Sequence, residues 1–483
     1  MTISAVYEAE ASAGAAEAKS GSLTLVRNGL QVALALLTIM TISRVHQQFP
    51  AIASIRPAMV LTFLVAIFAY LNPRLIVPDS LLTTWPAKVL RYLVIWTCLS
   101  VAFGISMGNS GQYVITTFSK NVIYAFLLVA AIRNVRDLYT FACAYIAGSL
   151  VLTFNSLFVF KLVHYSGDFS YARLSDMYTW DANDVVCVLM VALALSLLVL
   201  QVGGKWMKVM SFLTIIGIAG TVSRSGSRGG LVGILVVGLA VLLLARGISV
   251  VKRVAVLVVS AGALFAWAPP GYWMQMETLL KPKEDYNYTS KDGRRELFNR
   301  GIGYIAAYPV FGLGINNFPK AECEISEKAK IARRQNTGLR CTPPHNSVIQ
   351  AGSETGIPGL LLWVGLLIFG FGQMLYLSYT LPKSWLKGTP EQRFLALAPS
   401  YLAIAIVGFA STAFFLNFAW LEIYYFIAAM MAGYLACLVR FRNGSGALSP
   451  VPHILPTGGS EWRSRRGGSP VAAPVGRLSS RRS

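Results

Sequence analysis

Ionisable side chains are scarce in this chain: Asp, Glu, Lys and Arg make up 13% of 483 residues, and histidine occurs four times. Hydrophobic residues reach 55% and the mean hydropathy is +0.57. That balance excludes a soluble multi-domain protein and requires a polytopic membrane protein. Acidic residues are the rarer sign, 21 against 42 basic, for a net charge of +21. A nucleic-acid binder gathers its Lys and Arg on one folded face. Here they sit in short hydrophilic breaks and in the C-terminal tail, so nucleic acid is not an expected partner. No metal-ligand spacing occurs among the six cysteines. Cys98, Cys143, Cys187 and Cys437 lie in apolar runs, where a thiol acts as a small buried hydrophobe. Cys323 and Cys341 fall instead in the longest polar stretch, and in an oxidising compartment they are a candidate disulfide. No internal repeat at a solenoid period is present.

What the chain does have is long apolar runs. Residues 1–28, rich in Ala, Ser and Glu, lack the basic start and cleavage site of a signal peptide and are expected to form a disordered cytoplasmic arm. Beyond them, about 12 segments are long enough to cross a bilayer: 29–45, 57–72, 87–107, 113–132, 137–160, 184–202, 206–223, 228–246, 249–268, 355–379, 394–413 and 417–439. The fold class expected is an all-α polytopic membrane protein, its transmembrane domain covering 29–440 and including a large, partly helical outer loop at 269–354, before the tenth span. Residues 441–483 read as a basic disordered cytoplasmic tail. Short loops rich in Lys and Arg favour the cytoplasm. Arg133 and Arg136, Lys205 and Lys208, Arg246, Lys252 and Arg253, and Lys383, Lys387 and Arg393 fall in alternate breaks, which puts both termini inside.

Two sizeable segments remain outside, about 161–183 and 269–354. Apolar spacing predicts a helix from Arg294 to Ala307, ended by Tyr308-Pro309, and Glu322 to Lys330 reads as a second, polar helix. Arg224 and Arg228 break the charge rule, standing on the outer side between two hydrophobic runs. Arginines at helix ends commonly snorkel toward headgroups. Together with Arg294, Arg295 and Arg300, though, they offer planar forks that match phosphate bidentately.

His345 is the one imidazole of the long outer segment, and so the candidate general base. A lone histidine is also commonly structural. Asn346 is placed to cap the following helix or to orient the ring, and Glu354 to favour a helix start or to support the site. The shorter segment offers His164, Asp168, Arg173, Asp176, Asp181 and Asp184 among Tyr165, Tyr171, Tyr178 and Trp180, a mixture suited to sugars and equally to an interfacial aromatic belt.

Three motifs occur in order: Ser227-Arg228-Gly229-Gly230 opening a span; Gly293-Arg294-Arg295-Glu296-Leu297-Phe298, then Tyr308-Pro309-Val310-Phe311-Gly312-Leu313-Gly314; and Pro344-His345-Asn346 with Glu354-Thr355-Gly356-Ile357-Pro358-Gly359. In this order the chain resembles the O-antigen ligase and polymerase superfamily over about residues 170–380. The resemblance implies a glycosyltransferase of the bacterial inner membrane, without metal or other cofactor, working at the periplasmic face on glycans linked to undecaprenyl diphosphate. It implies that Arg294 and the arginine of the Ser-Arg-Gly motif engage the diphosphate, and that His345 is the base. The motif arginine best matches Arg228, but the Ser-Arg pattern occurs twice and Arg224 is the alternative. Arg295 and Arg173 are expected to support the site. The implied acceptor is a growing glycan or lipid A core. In this mechanism an acceptor hydroxyl attacks the anomeric carbon while His345 takes its proton. Diphosphate is a good leaving group, so no protonating carboxylate is needed, unlike in glycosidases. The competing classes are a flippase or transporter, which would set charges near the midplane, and a structural partner in envelope assembly.

Overall fold

The computed structural model describes residues 21–165, 171–175, 180–281, 290 and 293–444. Asp168, Asp176, Tyr178, most of the N-terminal arm and nearly all of the basic tail lie outside the described residues.

Among the described residues, nine apolar helices precede the large loop: α1 (Gly29–Ser43), α2 (Pro57–Leu71), α3 (Trp85–Phe103), α4 (Met107–Ala131), α5 (Val135–Val159), α6 (Ala182–Val202), α7 (Lys205–Ser225), α8 (Arg228–Leu244) and α9 (Val250–Ala266). The loop carries α10 (Arg294–Ala307), α11 (Phe318–Glu324) and α12 (Glu327–Gln335). Helices α13 (Ser347–Thr380), α14 (Pro390–Ala413) and α15 (Glu422–Gly444) follow.

Among the described residues, eight helices are long and apolar enough to cross a membrane, namely α3 to α7 and α13 to α15. The expectation of twelve spans is therefore not met by length. Helices α1 and α2 have 15 residues each and α8 and α9 have 17, which at 1.5 Å per residue gives about 23–26 Å against the roughly 30 Å of a bilayer core. Polar and proline punctuation shortens them. Helix α1 stops where Arg44 turns left-handed (φ 53°), and α2 starts at Pro57 and ends before Asn72-Pro73.

The mostly helical chain agrees with the all-α expectation, and one small sheet is added to it. The shorter outer segment contains an antiparallel hairpin, β1 (Lys161–Tyr165) with β2 (Tyr171–Ser175), in which Val163 pairs with Arg173 and His164 with Ala172. Alternation explains it: Ala172 and Leu174 face inward and are buried, while Tyr171, Arg173 and Ser175 are partly exposed.

Helix α6 is the axis of the bundle. It is buried on all sides against α5, α7, α8 and α14, whereas only a third of α3 is buried. A capping box, with Asp181 accepting from Asn183 and Asp184 N–H and Asp184 reaching back to Asp181 N–H, starts it abruptly.

The basic breaks gather at one end of the bundle. Arg136 pairs with Glu391 at 4.0 Å, Arg440 donates to the carbonyls of Ile132 and Arg133, Arg393 to that of Gln201, and Arg253 to those of Leu242 and Ile248. The hairpin, the α7–α8 turn and the large loop occupy the other end.

That loop is fastened to the bundle by a backbone joint. Helix α13 begins at Ser347, eight residues before the expected 355, and breaks at Gly356 (φ 70°, ψ −174°) ahead of Pro358. The freed backbone is met by the Tyr308–Gly314 segment: Ile357 N–H donates to the Pro309 carbonyl (2.8 Å) and Leu313 N–H to that of Ser353 (2.8 Å). Gly312 has φ +68°, and a β-carbon there would meet the Glu354–Gly356 backbone at 2.5–2.6 Å. One on Gly356 would meet the Val310 carbonyl oxygen at 2.2 Å. Two glycines are thus required because two backbones touch.

Helix α10 has the expected bounds. The second loop helix does not: it comes as α11 and α12, divided at Ser326, whose hydroxyl caps α12 by accepting from Ala329 N–H at 3.0 Å. Cys323 and Cys341 are joined, with Cα atoms 5.4 Å apart, so α12 rides in a closed loop that ends four residues before His345.

Candidate active site at the loop end of the bundle

His345 sits just before α13 in a left-handed conformation (φ 48°), uncommon for a residue with a side chain. It is held there by Asn417, in the α14–α15 connection. The His345 N–H donates to Asn417 Oδ1 at 2.7 Å, and Asn417 Nδ2 lies 3.4 Å from ring Nδ1. Partial burial first, then the positive charges of Arg294 and Arg340, push the imidazole down to about 4, with Asp181 opposing them. His345 is therefore neutral at physiological pH, and its ring stands within electrostatic reach of Arg294 and Asp181.

Asn346 takes the first of its two expected roles. Its side chain accepts from Val348 N–H (2.9 Å) and Ile349 N–H (3.0 Å), capping α13. Glu354 is not at a helix start. It is buried two residues before the break, where its carboxylate accepts from Asn316 N–H (2.9 Å), Phe318 N–H (3.3 Å) and the Trp420 indole (2.6 Å). Ser347, Gln350 and Glu354, at helical spacing on one face of α13, all read the 416–420 connection: Ser347 Oγ bonds Leu416 and Phe418, and Gln350 accepts from Ala419 N–H. Asn417 thus projects from a stitched, rigid loop.

The other candidates divide. Arg224 donates to the carbonyls of Ser156 (3.1 Å) and Phe160 (3.5 Å), closing the last turn of α5. Arg228, at the start of α8, donates to Thr278 Oγ1 at 2.8 Å. Gly226 between them is left-handed (φ 59°), and a β-carbon there would touch Gln275 Oε1 at 3.0 Å and Arg173 at 3.4 Å. The hairpin arginine Arg173 therefore lies against the turn that presents Arg228. Asp181, whose N–H donates to Asp184 at the start of α6, lies within electrostatic reach of His345. Arg294 and the exposed Arg295 open α10 after the cap Gly293. Arg300 does not belong to an anion site. Its guanidinium grips Glu322 with both carboxylate oxygens, and Tyr304 donates to the same carboxylate, bracing α10 on α11. His164 is exposed on β1 and pairs across the hairpin with Ala172. Two small interhelical voids, lined by residues such as Leu193 and Ile218 or Leu138 and Met430, are apolar and hold none of these side chains.

Two groups escaped the sequence reading. Asn417 carries no local signal, since its partner is 72 residues away. Glu422, the first residue of α15, is buried and ion-paired with Arg44, whose guanidinium also lies over Trp180 at 4.2 Å from the ring centre. Its pairing spans 378 positions.

The fold is that of a multi-pass helical membrane protein, and Arg294 lies within electrostatic reach of His345 where the large loop meets the bundle. Residues 212–364 match the family model described as O-antigen ligase, which bears out the resemblance of the motifs. That stretch contains Arg224, Arg228, Arg294 and His345 but neither Asn417 nor Arg173. No curated protein matches the chain.

Proposed function

We propose that the chain transfers glycan from undecaprenyl diphosphate to a sugar hydroxyl at the periplasmic face of the inner membrane. The observation that carries this is the placement of a neutral imidazole, His345, within electrostatic reach of the Arg294 guanidinium, on the bundle end that also presents Arg228. The basic breaks gathered at the opposite end support an outward-facing site with both termini cytoplasmic. The acceptor oxygen bonds to the anomeric carbon as the bond to the diphosphate oxygen breaks. The hydroxyl proton passes to His345, and Arg294 and Arg228 stabilise the departing diphosphate. Bound diphosphate offsets the Arg294 charge, one of the influences that hold the imidazole low. The base thus strengthens as the donor arrives. Arg228 is the better diphosphate ligand because Arg224 is committed to two backbone carbonyls. Arg173 and Arg295 extend the positive field, and Asn346 and Glu354 fix the frame.

The test is complementation of a deletion strain with wild type or His345→Ala at equal membrane level, reading lipopolysaccharide and exopolysaccharide ladders. Loss of long-chain lipopolysaccharide with accumulation of lipid-linked polymer identifies a ligase acting on lipid A core. Loss of everything beyond one repeat identifies a polymerase. Full activity of His345→Ala removes the proposal.

A further inference from the structure

Between Cys323 and Cys341 the chain makes a closed loop with a charge pattern of its own. It holds five basic residues, Lys328, Lys330, Arg333, Arg334 and Arg340, against two acidic ones, Glu324 and Glu327. Both acids are already answered by lysines: Lys320 stands 3.5 Å from Glu324, and Lys330 stands 2.5 Å from Glu327. Among the described residues, Arg333, Arg334 and Arg340 join no ion pair, and all three are exposed. Arg333 has a 3.5 Å contact to the Cys323 carbonyl. The buried Ala329 and Ala332 seat α12 against the fold, while Arg333 and Arg334 stand out from its last turn. The helix ends at the left-handed Asn336 (φ 50°), and Thr337 N–H returns to the Ala332 carbonyl at 3.0 Å, which turns the chain back toward Arg340 and the bridge. From Cys341 four residues lead to His345, a reach of at most about 14 Å. Arg340 lies within electrostatic reach of the imidazole.

We propose that this disulfide-closed loop binds the acceptor, gripping its phosphate groups with Arg333, Arg334 and Arg340; the assignment rests on the transferase reading above. A guanidinium fork matches phosphate, and a surface that shows arginines with no carboxylate left to answer them selects for anions. The base takes its proton from the acceptor hydroxyl. Cations carried on the same stretch of chain as the base therefore stand on the acceptor's side, whereas Arg228 and Arg294 serve the donor diphosphate. The acceptor chemistry that fits is a phosphorylated lipid A core. The bridge gives the loop its part in this: it returns α12 to the strand of chain that leads into His345, so that a phosphate held by the arginines brings the acceptor to the base.

The test uses the full-length protein in phosphatidylcholine nanodiscs, with undecaprenyl-diphosphate-linked glycan as donor and lipid A core as acceptor, either phosphorylated or enzymatically dephosphorylated. In wild type the dephosphorylated core is expected to show an acceptor KM about 30-fold higher, threefold for each of the three exposed charged contacts, with kcat and donor KM unchanged. Arg333→Gln combined with Arg334→Gln is expected to raise the KM for phosphorylated core about tenfold on the same scale and to leave that for dephosphorylated core as it is. Salt at 1 M should narrow both differences, because exposed charges are then screened beyond about 3 Å. Equal KM for the two cores in wild type overturns the proposal, and this comparison needs no variant. A double variant that weakens both cores alike overturns it as well, since the arginines would then serve the fold. A difference seen only in discs containing anionic phosphatidylglycerol would assign the arginines to the bilayer surface and overturn it too. Absence of transfer by wild type would count against the transferase reading alone. Binding of fluorescently labelled core in the same discs, phosphorylated against dephosphorylated, then still decides for or against the loop.

Discussion

Acidification is the perturbation that tests the electrostatics of the site most directly. His345 is held at about 4 against an ordinary 6.5, first by burial and then by Arg294 and Arg340. In the unfolded chain the imidazole takes up a proton as pH falls through about 6.5, whereas in the folded protein it does so only near 4. Folding stability is therefore undiminished by this group above pH 6.5, is lost progressively between 6.5 and 4, and levels off below. The loss amounts to about 3 kcal/mol at 1.36 kcal/mol per pH unit of separation. Denaturation of the detergent-solubilised protein at pH 7, 6, 5 and 4 measures it, wild type against His345→Gln. Every carboxylate contributes equally to both curves, so their difference isolates the imidazole. The His345→Gln curve is expected to lose about 3 kcal/mol less across the window. Parallel curves would refute the account, since they would mean that the imidazole is as free to protonate in the fold as in water.

Four further outcomes follow from the contacts. Glu354→Ala strands the Asn316 and Phe318 N–H groups and the Trp420 indole. At about 1–3 kcal/mol per buried orphan, it is expected to cost several kcal/mol, read as a lowered Tm, with Glu354→Gln milder. Gly356→Ala puts a β-carbon 2.2 Å from the Val310 carbonyl oxygen, whereas Gly303→Ala meets nothing within 4 Å; purification yield should collapse for the first and hold for the second. Replacing Cys323 and Cys341 together by Ser opens an 18-residue separation and is expected to cost about 3 kcal/mol by loop entropy, measured by urea titration. Arg228→Lys should raise the donor KM about tenfold by losing the bidentate fork, while Arg224→Lys should lower Tm and leave KM unchanged, because Arg224 serves the Ser156 and Phe160 carbonyls.

The placement of the candidate residues was legible where chemistry and local order coincide. His345 between prolines and a capping asparagine, and arginines opening α8 and α10, announce themselves in sequence because neighbours in the chain explain them. Glu354 was legible as a helix residue but not as an anchor, because its donors arrive from Asn316, Phe318 and Trp420, each more than 30 positions away. Asn417 and Glu422 were invisible for the same reason. The hairpin was hidden because five residues of alternation are too few to stand out among aromatics. Twelve apolar runs do not all give helices of spanning length, because hydropathy does not register where Arg44 ends one helix or Pro57 begins the next.

The glycine joint between the Tyr308–Gly314 segment and the break in α13 has a consequence for anyone recombining such proteins. Gly312 and Gly356 lie 44 positions apart yet occupy one place, each filling the room the other leaves. A loop exchanged with its boundaries drawn at the apparent membrane edge would carry one half of that joint and discard the other. Any exchanged stretch must carry Gly312 and Gly356 together, and because Ser347, Gln350 and Glu354 bond the 416–420 connection, that connection has to match it.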